Sequence, residues 1–171
     1  MCFVDIYSKI PETFKRSEDL IKAIEEFLQK ENFLLSEDLN ERAMTHKLAE
    51  YIQKYFQDYN VDCEYNRMRD KDGKEYNTKK LNIKSKNINL TNIKQTTVYP
   101  DIIIHKRGNN NDNLLAIETK KKVNLDEEDK KYDFKKLKAM TLQLEYLYGA
   151  YIEFDESNIS DIKFFKDGKE C

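Results

Sequence analysis

An α/β domain, with a mixed central sheet flanked by helices and an extra helix at the N-terminus, is what this sequence predicts. Apolar residues recur at helical spacing in three segments, near 17–30, 38–56 and 126–148. Short runs rich in Val, Ile, Tyr and Phe lie between and after them, and clusters of Asn, Asp and Gly mark the joins. At 171 residues and 39% hydrophobic content the chain can bury one core, so a single domain over residues 1–171 is expected. Within it, 1–35 reads as a helical extension, 38–154 as the core and 67–97 as a basic insertion.

Taken in order, Leu20, Ile21, Ile24, Phe27 and Leu28 share one face of a helix starting at Ser17, with Glu18 and Asp19 in its first turn and Lys30 in its last. A second helix over about Asp38–Phe56 aligns Leu39, Ala43, Leu48, Ile52 and Phe56, and Asp38 followed by Glu41 resembles a capping box. Val61 to Asn66 alternates as a short strand does. The polar stretch 67–97 admits either a hairpin or an irregular loop. Val98–His105 and Leu114–Lys121, separated by Gly108 and a run of Asn, read as an antiparallel hairpin. A long helix within Asp126–Tyr148 follows, with Gly149 as its C-terminal cap, then strands at Ala150–Phe154 and Ile162–Phe165.

Thirty basic and 32 acidic residues leave a net charge of −2, so bulk charge does not announce a nucleic-acid partner. The distribution is uneven. Residues 1–66 carry −6, residues 67–97 carry +6 and residues 98–171 carry −2. Three dispersed cysteines and two histidines argue against a disulfide framework, a zinc site and most His-built metal centres. No apolar run approaches the length a bilayer requires and the N-terminus has no leader pattern, so no membrane partner and a cytoplasmic location are expected.

Side chains two apart on a strand share a face, so Glu118 and Lys120 project together from the second arm of the hairpin. Pro100 interrupts the first arm just before Asp101, and such an irregularity aims Asp101 at Glu118. Two adjacent carboxylates repel unless a cation lies between them. Hard divalent ions such as Mg2+ or Mn2+ take oxygen sites of this kind, and a neighbouring ammonium, Lys120, can orient or help deprotonate the attacking water. Phosphodiester hydrolysis suits this set. In the bland alternatives, Glu41 only caps its helix, Glu118 and Lys120 are an exposed strand face, and Lys121, Lys122, Lys130, Lys131, Lys135, Lys136 and Lys138 are solvated. His46 and His105 read as surface or packing residues, with Glu64 an outside addition to the acidic cluster.

Pro100-Asp101 followed by Glu118-Thr119-Lys120 resembles the signature of the PD-(D/E)XK nuclease superfamily, and the resemblance spans about Asp38–Phe154. It implies a restriction-endonuclease-like αβββαβ core and a metal-dependent nuclease. Asp101, Glu118 and Lys120 would be catalytic, and Asp101, Glu118, Glu41 and the carbonyl of Thr119 would hold Mg2+ or Mn2+. DNA is placed ahead of RNA as partner and endonuclease ahead of exonuclease, with a homodimer left open. Gln143 and Tyr146 are three apart, which does not match the four-apart pair of RecB-like exonucleases. Lys79, Lys80, Lys84 and Lys86 of the basic stretch are the expected backbone contacts. The alternative is a catalytically inert nuclease-fold module acting in nucleic-acid binding or protein assembly.

Overall fold

The computed structural model describes residues 6–36, 40–69, 76–83 and 94–171. Its elements, apart from short 3-10 turns, are α1 (Ser17–Lys30), α2 (Asn32–Ser36), α3 (Glu41–Tyr55), β1 (Asn60–Cys63), β2 (Arg67–Arg69), β3 (Tyr76–Thr78), β4 (Lys80–Ile83), β5 (Lys94–Thr97), β6 (Ile102–His105), β7 (Leu115–Lys121), α4 (Glu127–Gln143), β8 (Tyr148–Asp155), β9 (Asn158–Lys166) and β10 (Lys169–Glu170).

Six strands form the central mixed sheet in the order β1-β6-β7-β8-β9-β10. β7 and β8 are parallel because α4 carries the chain back between them, and the other pairs are antiparallel. Both faces are covered, so β6 and the starts of β7 and β8 read as nearly unbroken apolar runs. Ile102, Ile104, Leu115 and Ile117 face α1 and α3. Ile103, Ala116 and Tyr151 face α4 together with Leu81 and Ile83 of β4. The period-two alternation of 101–104 is thus resolved into two helical layers.

The expected helix 1–35 is more than an extension. α1 buries Leu20, Ala23, Ile24, Phe27 and Leu28, and the Phe27 ring meets Tyr51 of α3 and Phe154 of β8 edge-on at 6.0 and 5.5 Å. The expected strand at 162–165 is present as part of β9, which pairs along β8 and supplies Ile162, Phe164 and Phe165 to the core, beyond the expected limit of 154. The 67–97 stretch contains two small antiparallel ladders, β2–β3 and β4–β5. The Asp38 half of the expected capping box lies outside the described residues; at the start of α3 the Asn40 side chain accepts from the Arg42 amide.

Gly149 does not cap a helix. α4 ends six residues earlier, at Gln143, and Glu145 takes the positive φ that reverses the chain. Gly149 lies inside β8, where an added Cβ would stand 3.1 Å from the Leu137 Cβ, so its missing side chain lets α4 pack close on the sheet. At its other end α4 is capped by Asp126, whose carboxylate accepts from the amides of Glu128 and Asp129. Among the described residues no helix is long and apolar enough to cross a membrane.

Candidate active site

The antiparallel register places Ile102 opposite Ile117, so one step further out Asp101 comes level with Glu118. The carbonyls of Pro100 and Asp101 accept from the Glu64 amide, which ties the start of β6 to the end of β1. Asp101 Oδ2 then accepts from the Thr119 amide at 2.8 Å and from the Thr119 hydroxyl at 3.1 Å. That hydroxyl also meets Thr45 Oγ1 of α3 at 2.8 Å. Asp101 is therefore positioned by three elements rather than by its own rotamer preference.

Glu41, the first residue of α3, reaches the C-terminal end of β7. Its Oε1 accepts from the Lys121 amide at 3.0 Å and its Oε2 lies 3.6 Å from Lys120 Nζ. A carboxylate in the first turn is favoured by the helix dipole, and here it also bridges helix to sheet. Glu41, Asp101 and Lys120 line one cavity of about 320 Å³ together with Thr45, His46 and Glu64. His46 is thus a wall residue despite its offset from Glu41 around the helix. Glu64 is matched by Arg42 at 2.9 Å. His105 is buried and paired with Asp62 at 2.8 Å, away from this cavity.

Glu118 stands one layer behind the cavity wall. Its residue is 2% exposed, its Oε2 lies 2.5 Å from Lys136 Nζ, and its Oε1 has no hydrogen-bond partner among the described residues. Burial pushes the Glu118 carboxyl well above the ordinary glutamate range; Lys136 opposes the shift and the charges of Asp101 and Asp133 add to it. Burial likewise raises Asp101, against the Thr119 amide and two lysines. For Lys120, burial alone would favour the neutral amine, but Asp133, Glu41, Asp101 and Glu118 outweigh it and hold the ammonium above its usual value. Lys120 is thereby suited to orient and stabilise negative charge, not to take a proton at neutral pH.

The expectation that Lys121, Lys130 and Lys136 are solvated fails; Lys121 is buried at the end of β7. Lys136 is 12% exposed at its side chain and sits between Glu118 and Asp133, while Lys130 pairs with Glu153 at 2.7 Å and Asp161 at 3.1 Å. Asp133 and Lys136 are the site residues that sequence reading missed. The signal was present: Asp133, Leu137 and Met140 recur at i, i+4 and i+7 on the buried face of α4, so a charge at Asp133 is misplaced for a merely solvated helix. Gln143 stays apart from the site, its side chain accepting from the Asn82 amide.

The expected nucleic-acid contacts divide. Lys80 is exposed on β4, Lys84 and Lys86 lie outside the described residues, and Lys79 is buried. Lys79 Nζ donates to the Tyr65 carbonyl at 3.0 Å and lies over the rings of Tyr65 and Tyr146, so this lysine is a packing residue and not a surface contact. Among the described residues no three His, Cys, Asp or Glu side chains are grouped to hold a metal ion as they stand, and Glu118 is engaged by Lys136.

Comparison of the chain with family models, with curated proteins and with solved structures returns no match.

Proposed function

We propose that this chain is a divalent-metal-dependent nuclease with a restriction-endonuclease-like core, acting on DNA ahead of RNA. The observation that carries the reading is the meeting of Asp101, Glu118, Lys120 and Glu41 where β6, β7 and the start of α3 converge. The order α3, β1, β6, β7, α4, β8 supports it, as does the resemblance of Pro100-Asp101 and Glu118-Thr119-Lys120 to the superfamily signature.

The donor set fits a hard divalent ion: the candidate ligands are carboxylate oxygens, and Glu118 Oε1 is a buried oxygen in need of a partner. Asp101 and Glu118 would hold the ion, with Glu41 and the Thr119 carbonyl assisting. Such an ion supplies Lewis acidity and lowers the pKa of a bound water. The chain's own contribution is electrostatic. Thr119 fixes the Asp101 carboxylate, Glu41 holds Lys120 at the cavity wall, and the Lys120 ammonium stabilises charge developing on a phosphate. The exposed Lys80 and Arg67 of the basic stretch offer phosphate contacts.

One observation favours the second reading, an inert nuclease-fold module: Lys136 already neutralises Glu118. A cleavage assay separates the two. Wild type and Lys120→Ala are incubated with single-stranded, double-stranded and branched DNA and with RNA, in Mg2+, Mn2+ or chelator. Metal-dependent cutting that falls by roughly 10²- to 10³-fold in Lys120→Ala is expected for an electrostatic donor. Binding without cutting would leave the inert module, and unchanged cutting by Lys120→Ala would remove that lysine from the mechanism.

A further inference from the structure

We infer that α4 carries a built-in counter-ion, so that metal uptake at Asp101 and Glu118 is a cation exchange in which the ion displaces Lys136 from Glu118 and Asp133 receives it. This rests on the nuclease reading and names a control on the same site.

The geometry supplies both ends of the exchange. Lys136 Nζ is 2.5 Å from Glu118 Oε2 and 3.5 Å from Asp133 Oδ1, so the ammonium already lies between its two acceptors. Asp133 is one helical turn before Lys136, and a lysine stem with four rotatable carbons can shift towards it without moving the helix. Among the described residues Asp133 Oδ2 is buried without a hydrogen-bond partner, as is Glu118 Oε1, and Lys120 Nζ stands 3.8 Å from Asp133 Oδ2. Two orphaned carboxylate oxygens in one buried cluster mark a site with fewer cations than its oxygens can accept.

Charge counting points the same way. With all four carboxyls ionised, as they would be around a cation, Glu41, Asp101, Glu118 and Asp133 contribute four negative charges, and Lys120 and Lys136 contribute two positive ones. Two negative charges remain, the complement of one divalent ion. Without Lys136, two carboxylates with their charges close together would face burial with no cation on Glu118, which is costly. Without Asp133, a displaced Lys136 would be a buried ammonium with no acceptor, and the exchange would be penalised. The pair therefore holds the site together when metal is absent and sets how tightly metal binds.

The test is calorimetric titration of Mn2+ into the full chain as wild type, Lys136→Gln, Lys136→Met and Asp133→Asn, with thermal unfolding of each in chelator and in Mn2+. Removing the competing ammonium should tighten Mn2+ binding by about tenfold or more in both Lys136 variants. Asp133→Asn should weaken it. The Lys136 variants should melt lower than wild type in chelator and recover in Mn2+, a pattern that a purely structural ion pair would not produce. Lys136→Gln keeps a polar group of similar length and serves where Lys136→Met fails to fold. If wild type binds Mn2+ and cleaves while neither Lys136 variant binds more tightly, the exchange is wrong and the nuclease reading stands. If neither wild type nor Lys136→Gln takes up Mn2+, both fall.

Discussion

Two buried glutamates on neighbouring parallel strands meet opposite fates. Glu153 on β8 is 4% exposed, yet both its oxygens are satisfied: Lys130 at 2.7 Å and the Tyr151 hydroxyl at 3.2 Å reach one, and Ser160 at 2.7 Å reaches the other. Burial works against its ionised form, but Lys130, Ser160 and Tyr151 prevail and hold it below the ordinary value. Glu118 on β7, similarly buried, has among the described residues one lysine against one oxygen and no hydrogen-bond partner for the other, and burial wins. On the proposed function, the difference separates a carboxylate that belongs to the fold from one that would be kept for a ligand. Burial is common to both; completion of the hydrogen-bond shell is not.

The sharpest way to break this comparison is to remove each acid in turn and measure unfolding in urea with chelator present. Glu153→Ala strips a satisfied buried network and should cost about 3 kcal/mol, the lower end for breaking a buried pair, because Lys130 keeps Asp161. The sign with pH follows from the lowered value of Glu153: its contribution is present above the ordinary 4.5 and is lost as pH falls through the lower folded value, so wild type and variant should converge in acid. A constant gap from pH 7 down to pH 3 would show that the network is not electrostatic.

Lys79 extends the comparison to a cation. It is buried against neutral partners, the Tyr65 carbonyl and the rings of Tyr65 and Tyr146, and burial draws it down to about 7 while Asp62 pulls the other way. The unfolded chain, with lysine near 10.5, then binds a proton that the folded chain has released. Stability should therefore rise as pH climbs from about 7 towards 10.5, and Lys79→Met should flatten that rise. Equal slopes in the two proteins would contradict the burial argument.

A smaller effect is expected for Glu118→Gln, about 1 kcal/mol, because the change keeps shape and removes the charge that the site satisfies least, leaving Lys136 with Asp133. A loss as large as that of Glu153→Ala would erase the distinction between the two glutamates. Smallest of all is Glu128→Ala, which removes an exposed pair with Lys131 and should change stability by less than about 0.5 kcal/mol. That variant sets the baseline for the other measurements.

Much of the fold was legible because its determinants are local. Helical spacing marks α1 and the bodies of α3 and α4, and the apolar runs mark β6, β7 and β8 within a few residues. The pairing of Asp101 with Glu118, and of Glu118 with Lys120 on one strand, follows from a hairpin and a period of two. Glu41 was singled out through the resemblance alone, since an acid at the start of a helix is favoured there whether or not it serves a site. Lys79, by contrast, was expected at the surface because a basic stretch usually stays there. Its burial comes from Tyr65 and Tyr146, which sequence separates by 81 residues.

By itself, then, the sequence determined the period of the longer helices and of the central strands, the acid-acid-lysine set and the strand pair that presents it. Tertiary structure alone decided which charges are satisfied. It made α1 a packed layer, put Gly149 under Leu137 inside a strand, and brought Lys136 and Asp133 across the β7–β8 crossover onto Glu118. The physical reason is that backbone periodicity is encoded between near neighbours, whereas the burial and counter-ion of a side chain depend on segments that meet only when the sheet and helices pack.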